Sequence, residues 1–386
     1  MSDFDFQEPA FLSEDLLMLR AELRRYVNRA VVPNGEAWEA AGKIPREIFR
    51  EMGALGFLGM RHPEQYGGGG LGPLASIILA EELSRSSFGG FASSVTVHSD
   101  MSIAHIAKRG TAKQKERFLP GACRGELVGA VCVTEPEAGS DVGGLRMRAV
   151  RDGNGWVLNG QKAFITNGVY GDVFIVAART DPDAKPSRGI SLFIVERDTP
   201  GFVVSKKLDK HGWRCSDTAD LFFDDVRVPA ENLLGDENAG FYGIMNTFQD
   251  ERLIVGALSA GTCAKAIELT TDYVKTRKAF GKTLWDQQAT RIRLATLASK
   301  AAAARALTYA IAQIHAEGRE CTREVSMVKA FSAEVLQEVV HGCLQLHGGT
   351  GFMTGTPIER MARDARVLTI GGGATEVMLE EVAKRM

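Results

Sequence analysis

Several signatures that would narrow the chemistry early are missing from this chain. Its six cysteines, at 123, 132, 215, 263, 321 and 343, form no Cys-x-x-Cys pair. Free thiols in a reducing cytoplasm are therefore expected, rather than disulfides or zinc. Among seven histidines, His98 and His105 are seven apart and His341 and His347 six apart. Neither spacing is a tight ligand motif, so helix-packing histidines and no metal are expected. No apolar run is long enough to span a bilayer, so membrane insertion is not expected. The start, MSDFDFQEPAFLSEDLL, is acidic. It resembles neither a signal peptide nor an Arg-rich transit peptide, which points to the cytoplasm. Charge of one sign is not in excess either: the net charge is −2. That removes the electrostatic footprint of a nucleic-acid binder.

What is present is a long, globular composition. The 386 residues, 45% hydrophobic and 24% charged, are enough for two or three domains with sizeable cores. Three textures follow one another. Residues 1–125 read as helices, with Leu16, Leu19, Leu23, Tyr26, Val27 and Ala30 at helical spacing. Pro45 suits a first helical position, and Thr111 with Gln114 has capping-box spacing. Residues 126–235 turn to short β-rich segments at 127–134, 145–150, 156–166, 173–179, 189–196, 202–208 and 219–228. Turn residues such as Asp152-Gly153-Asn154-Gly155 separate them. Strands without intervening helices predict a small antiparallel barrel or sandwich. Residues 236–386 return to helices. Val325, Val328, Ser332, Val335, Val339, Cys343 and Leu344 mark one face, and Thr356, Pro357 and Glu359 read as a capping box. The last segment, from Glu376, puts acids first and Lys384 and Arg385 last, matching a helix dipole.

Candidate chemistry is sparse on residue patterns alone. Tyr66-Gly-Gly-Gly-Gly-Leu-Gly72 satisfies Gly-x-Gly-x-x-Gly, but no strand precedes it and Pro73 follows. A surface turn is the better reading. Glu251-Arg252 precedes a largely apolar stretch, 253–274, and reads as an acid and a base near a helix start, where Glu is favoured anyway.

Longer motifs carry more. Val131-Cys-Val-Thr-Glu-Pro-Glu-Ala-Gly-Ser-Asp141 is the most specific. Gln345-Leu-His-Gly-Gly-Thr-Gly351, followed by Arg363-Asp-Ala-Arg366, is a second. Between them lie Phe164-Ile-Thr166, Arg214-Cys-Ser-Asp-Thr218 and Arg277-Lys-Ala-Phe-Gly281 with Gln288. In this order they resemble the acyl-CoA dehydrogenase family over nearly the whole chain. The resemblance implies a mostly α, α+β fold: a helical N-terminal domain, a central antiparallel β-barrel and a C-terminal four-helix bundle, in a homotetramer. It also implies an FAD cofactor, an acyl-CoA substrate and electron-transferring flavoprotein as acceptor.

Site roles follow from the same resemblance. Val131, Val133, Thr134, Gly139 and Ser140 resemble the loop against the flavin, with Ser140 also near the CoA moiety. Phe164 and Thr166 resemble the pair on the other side of the ring. Arg277, Phe280 and Gln288, with Gln345, Gly348 and Gly349, resemble contacts reaching the cofactor of a neighbouring subunit. Ala374, Thr375 and Glu376 resemble a further FAD contact at a helix start. One departure is informative. Many members carry the catalytic Glu where this chain has Gly372, within Ile370-Gly-Gly-Gly-Ala-Thr375. The isovaleryl and long-chain subgroups carry it before an Arg on a bundle helix, where this chain has Asp250-Glu251-Arg252. Glu251 is thus expected as the base, Gly372 as the backbone N–H donor to the thioester oxygen, and Asp250 and Arg252 as residues shaping the substrate site. Val97-His-Ser99 and Phe241-Tyr-Gly-Ile-Met245 lean the same way. An acyl-CoA oxidase, a flavin monooxygenase on the same scaffold, and a non-catalytic acyl-CoA-binding relative stand as alternatives.

Overall fold

In the computed structural model, which describes residues 5–386, regular structure begins just after Ser13. Four residues of the acidic start lie outside the described range. The Ser13 hydroxyl accepts from the Leu16 N–H at 3.4 Å, opening α1 (Glu14–Tyr26). Glu14 and Asp15 fill the first turn and Arg24 and Arg25 the last, matching the helix dipole. Leu16, Leu23, Tyr26 and Val27 are buried, as their spacing predicts. Six more helices complete the N-terminal region: α2 (Gly35–Ala41), α3 (Arg46–Ala54), α4 (Pro73–Ser84), α5 (Gly89–Thr96), α6 (Ile103–Arg109) and α7 (Ala112–Cys123). Thr111 and Gln114 make the reciprocal capping box of α7. Pro45 is the N-cap of α3, one residue earlier than expected.

The glycine-rich stretch before α4 is a turn, as read from sequence. A short 3-10 turn (Glu64–Tyr66), not a strand, leads into it. Its backbone folds back on itself: the Gly69, Gly70 and Leu71 N–H groups donate to the Gly59, His62 and Met60 carbonyls. His98 and His105 are packing residues. The Gly129 N–H donates to His98 Nδ1, so Nε2 carries the proton toward the Ala122 carbonyl. Burial pushes the pKa of both histidines down to about 3.

The central sheet has eight strands: β1 (Gly129–Cys132), β2 (Arg148–Asp152), β3 (Gly155–Thr166), β4 (Val173–Arg179), β5 (Ile190–Glu196), β6 (Phe202–Val204), β7 (Thr218–Pro229) and β8 (Leu233–Leu234). Asp152 pairs with Gly155, so Gly153-Asn154 is the two-residue hairpin loop, with Gly153 at φ +55°. The strand order is β6-β7-β3-β2-β4-β5-β8, with β1 on β4. Two corrections to the expected antiparallel barrel follow. First, β1 and β2 both pair with β4 in parallel, so the sheet is mixed. The long excursion through the β2–β3 hairpin gives β1 room to return beside a parallel partner. Second, the sheet curls without closing, and its path ends at β6 and β8. Phe174 on β4 still meets Phe202 on β6 at 4.8 Å, four places along the sheet.

Alternation along β4 explains how the sheet holds the helices. Phe174, Val176 and Ala178 face the curled interior. Val173, Ile175 and Ala177 face a second core, with Ile103, Ile106, Phe118 and Ile244 from flanking helices. The sheet is therefore clamped against α6, α7 and the start of the next helix.

That helix, α8 (Gly240–Thr276), is the longest element, and α9 (Gln288–Ala316) and α10 (Thr322–His347) pack on it. A short hairpin, β9 (Lys278–Ala279) with β10 (Lys282–Thr283), joins α8 to α9. Shorter helices α11 (Gly349–Phe352), α12 (Pro357–Ala365) and α13 (Thr375–Ala383) follow. The expected four-helix bundle is thus three long helices, with α13 packed on α10 and α4 of the N-terminal region packed on α8. Sequence reading found no run long enough to cross a membrane, but α8 contains one by length and composition; 83% of that window is buried in protein, making it a core helix. Val325, Val328, Ser332, Val335, Val339 and Cys343 are buried along α10 as expected. At α12 half of the predicted capping box forms: Thr356 accepts from the Glu359 N–H, while the Glu359 carboxylate turns to Arg363.

Candidate active site

Glu251 does not open its helix. It lies eleven residues past Gly240, about 16 Å into α8, so the helix-start reading fails. Its side chain is buried, and Oε1 has no hydrogen-bond partner among the described residues. Burial raises its pKa to about 8; Arg252 opposes that shift and Asp250 adds to it. Val255 lies one turn further along the same face. Against Val255 sits Gly372, at φ +68°, where an added Cβ would lie 3.8 Å from Val255 Cγ2. The fold therefore brings the two expected reaction residues to one stretch of α8. The Gly372 N–H donates to no protein acceptor among the described residues.

The neighbours of Glu251 differ from each other. Arg252 is buried with Nε unpartnered, and burial lowers its pKa against the pull of Glu251. Asp250 is engaged by protein on both carboxylate oxygens. Oδ1 meets His315 Nε2 at 2.6 Å, and Oδ2 meets Arg61 at 3.2 Å and Lys108. Both carboxylate oxygens of Asp250 are thus held by protein groups. The residue ties α8 to α9 and to the N-terminal region.

The remaining expected residues fall into two groups. In the first, Val131 on β1 and Thr134 just after it lie beside β3, where the Ala163 N–H donates to the Thr134 carbonyl at 2.9 Å. Phe164 and Thr166 follow on β3. Phe164 sits at a register shift with φ +60°, and the residue is 68% exposed. Val133 is buried, while Gly139 and Ser140 are exposed on the loop that follows. Ala374 is the N-cap of α13 without a side-chain cap, Thr375 Oγ1 donates to Glu334 at 3.1 Å, and Glu376 is in the first turn.

The second group gathers at the far end of α8. Tyr273 stacks on His347, with ring centroids 4.4 Å apart. That contact joins the segment carrying Arg277, Phe280 and Gln288 to the one carrying Gln345, Gly348 and Gly349. Phe280 is 97% exposed, and Gly348 and Gly349 have open space where a Cβ would project. Arg277 lies 26 residues beyond Glu251, about 40 Å along the helix. One chain does not bring this group to Glu251.

Sequence reading missed two buried lysines. Lys162 Nζ donates to the Val133 carbonyl at 3.0 Å and pairs with Glu135 at 2.8 Å, beneath the 131–134 segment. Lys329 Nζ donates to the Gly373 carbonyl. A signal for Lys329 was present: it is four residues from Val325 and three from Ser332, on the face read as core. A charge there is the informative exception to apolar patterning.

Comparison with known proteins matches this architecture throughout. Sequence profiles of the acyl-CoA dehydrogenase N-terminal, middle and C-terminal domains match residues 13–126, 130–226 and 238–386. The mitochondrial long-chain specific acyl-CoA dehydrogenase of Rattus norvegicus is 41% identical over 370 residues, covering 96% of this chain and 86% of the relative. The mitochondrial isovaleryl-CoA dehydrogenase of Pongo abelii is 38% identical over 369 residues, covering 95% and 87%. The crystal structure of an acyl-CoA dehydrogenase from Geobacillus kaustophilus superposes with a TM-score of 0.94 at 40% identity, covering 98% of this chain and 99% of that one. Long-chain and isovaleryl enzymes are the relatives toward which Asp250-Glu251-Arg252 leaned, and the chain belongs to the acyl-CoA dehydrogenase family.

Proposed function

We propose that this enzyme removes the α-proton of a saturated acyl-CoA thioester with Glu251, uses FAD, gives the trans-2-enoyl-CoA and passes electrons to electron-transferring flavoprotein. The observation that carries the reading is the buried carboxylate of Glu251, whose Oε1 has no partner among the described residues, one helical turn from the residue on which Gly372 packs. A base with a pKa near 8 is well matched to proton abstraction near neutral pH.

Features of the chain support FAD. Phe164 stands exposed beside the 131–134 segment, as a residue covering a flat ring would. The uncapped start of α13 offers free N–H groups to an anion. Open space at Gly139, Gly348 and Gly349 suits close approach of a phosphate-bearing chain. Bound FAD supplies the two-electron acceptor for the hydrogen leaving the β-carbon. The chain's own residues do the rest. Glu251 takes the α-proton onto its free oxygen. The Gly372 N–H stabilises the negative charge growing on the thioester oxygen. The Val255 side chain, between them, keeps that stretch apolar. The 40 Å between Glu251 and the Arg277 group supports a homotetramer in which each chain lends that group to a neighbour's cofactor.

The test is anaerobic mixing of the FAD-loaded protein with a panel of saturated acyl-CoA thioesters, read at the oxidised-flavin band. Bleaching by a subset is expected and ranks chain length and branching. Bound FAD that no thioester bleaches contradicts the proposal. Rapid oxygen consumption by the reduced protein would move the assignment to an oxidase.

A further inference from the structure

The turn that carries Gly372 has little of its own to hold it. Gly372 and Gly373 sit at φ +68° and +103°, and glycine restrains the backbone least of all residues. On the near side, the Gly371 N–H donates to the Val367 carbonyl at 2.8 Å. On the far side the chain enters α13, where Thr375 is tied to Glu334 of α10. Val255 of α8 and Met378 of α13 pack against the turn without bonding to it, and between these ties one side chain among the described residues hydrogen-bonds its backbone. Lys329, also on α10, donates through Nζ to the Gly373 carbonyl.

Lysine is a costly residue at that point. Lys329 is wholly buried, among core neighbours Val325, Val328 and Leu336 on its own helix. Its hydrogen-bond partner is a neutral carbonyl rather than a carboxylate. Arg252, a second buried cation, is near enough to repel it. Burial and that repulsion push its pKa down to about 8, against Glu334 and Glu376. A desolvated ammonium without a close counter-ion opposes folding, and a methionine of similar length would pack there without that cost. Stability does not explain the residue; the contact with the turn does.

We infer that Lys329 is a positioning residue, whose bond to the Gly373 carbonyl fixes the glycine turn so that the Gly372 N–H faces the thioester oxygen beside Glu251. This rests on the dehydrogenase reading above. A backbone donor acts through its alignment with the oxygen as charge builds, so a loose turn weakens the transition state more than substrate binding.

The experiment compares FAD-loaded wild type, Lys329→Met and Lys329→Arg in anaerobic rapid mixing with the acyl-CoA that best bleaches wild type. Failure of wild type itself to bleach would count against the dehydrogenase reading and leave the turn contact unaddressed by kinetics; hydrogen–deuterium exchange of the substrate-free proteins then carries the test. Lys329→Met is expected to keep its FAD and melt no lower than wild type. Its flavin-reduction rate should fall ~10-fold or more with little change in half-saturating substrate. Exchange across residues 370–375 should accelerate. Lys329→Arg, which keeps donor and charge, should recover most of the rate and the protection. Wild-type rate and wild-type exchange in Lys329→Met would overturn the inference. So would a Lys329→Met that melts well below wild type and loses rate and affinity together, since that marks a structural role.

Discussion

Asp250 and Glu251 are consecutive on α8 yet occupy opposite electrostatic surroundings. Burial alone would raise Asp250, but Arg61, with His315 and Lys108, outweighs it and holds the carboxylate well below its usual range. Glu251 makes no ion pair among the described residues; burial raises it, Arg252 and Lys108 oppose the rise, and Asp250 adds to it. Two adjacent carboxylates pushed apart in this way are suited to different roles, one held as an anion and one able to carry a proton near neutral pH.

The pH dependence of kcat/KM follows from that division. Glu251 must be deprotonated to act as a base, and its pKa is raised to about 8. Activity should therefore rise with pH through an inflection near 8 and level off above it. A steady-state profile across the neutral and mildly alkaline range checks this. An acid limb confined to the ordinary carboxylate range would contradict the raised value.

Glu251→Gln should stabilise the protein. Glu251 titrates at 4.5 when exposed and at about 8 when folded. Between those values the folded chain holds a proton that the unfolded chain has lost, so stability falls as pH rises through the window. The glutamine variant lacks that loss and should gain up to about 3 kcal/mol over wild type at pH 7. The gap should shrink toward pH 4.5. Urea unfolding of both proteins with the same FAD occupancy, at acid and neutral pH, measures it; a pH-independent difference would count against a buried, protonated Glu251.

Asp250→Asn should do the opposite. The amide leaves Arg61, which among the described residues keeps only Asp100 at 3.6 Å, and half-buried Lys108 without their shared anion. Breaking a buried pair from one side costs about 3 kcal/mol or more. Because the folded carboxylate titrates below its usual value, its contribution is present above the ordinary value of 3.8 and is lost only as pH falls through the lower folded pKa. The loss should appear as a lower urea midpoint at neutral pH. A variant as stable as wild type would mean that Asp250 does not anchor α8.

The order of helices and strands was legible because periodicity and turn residues report locally. The Asp152–Gly155 hairpin and the Thr111–Gln114 capping box formed as spelled. Sheet connectivity was not legible, because the parallel pairing of β1 with β4 depends on residues more than forty apart. The start of α8 was misplaced for a related reason. Gly240 and Gly243 weaken a helix by local propensity, but packing of Ile244 into the sheet-facing core overrides it. Glu251 came from resemblance, not pattern; its raised pKa depends on burial by elements distant in sequence. Lys329 had a signal in the helical spacing of α10, but what it holds, Gly373, became visible only in the folded chain.

The central claim is that Glu251 is the base, and the most direct measurement is rapid anaerobic mixing of FAD-loaded Glu251→Gln with the acyl-CoA that best reduces wild type. The account predicts intact FAD and acyl-CoA binding with flavin reduction slowed by at least ~100-fold, the usual size of a general-base effect. Reduction at a near-normal rate would contradict it and send the search for the base to another carboxylate.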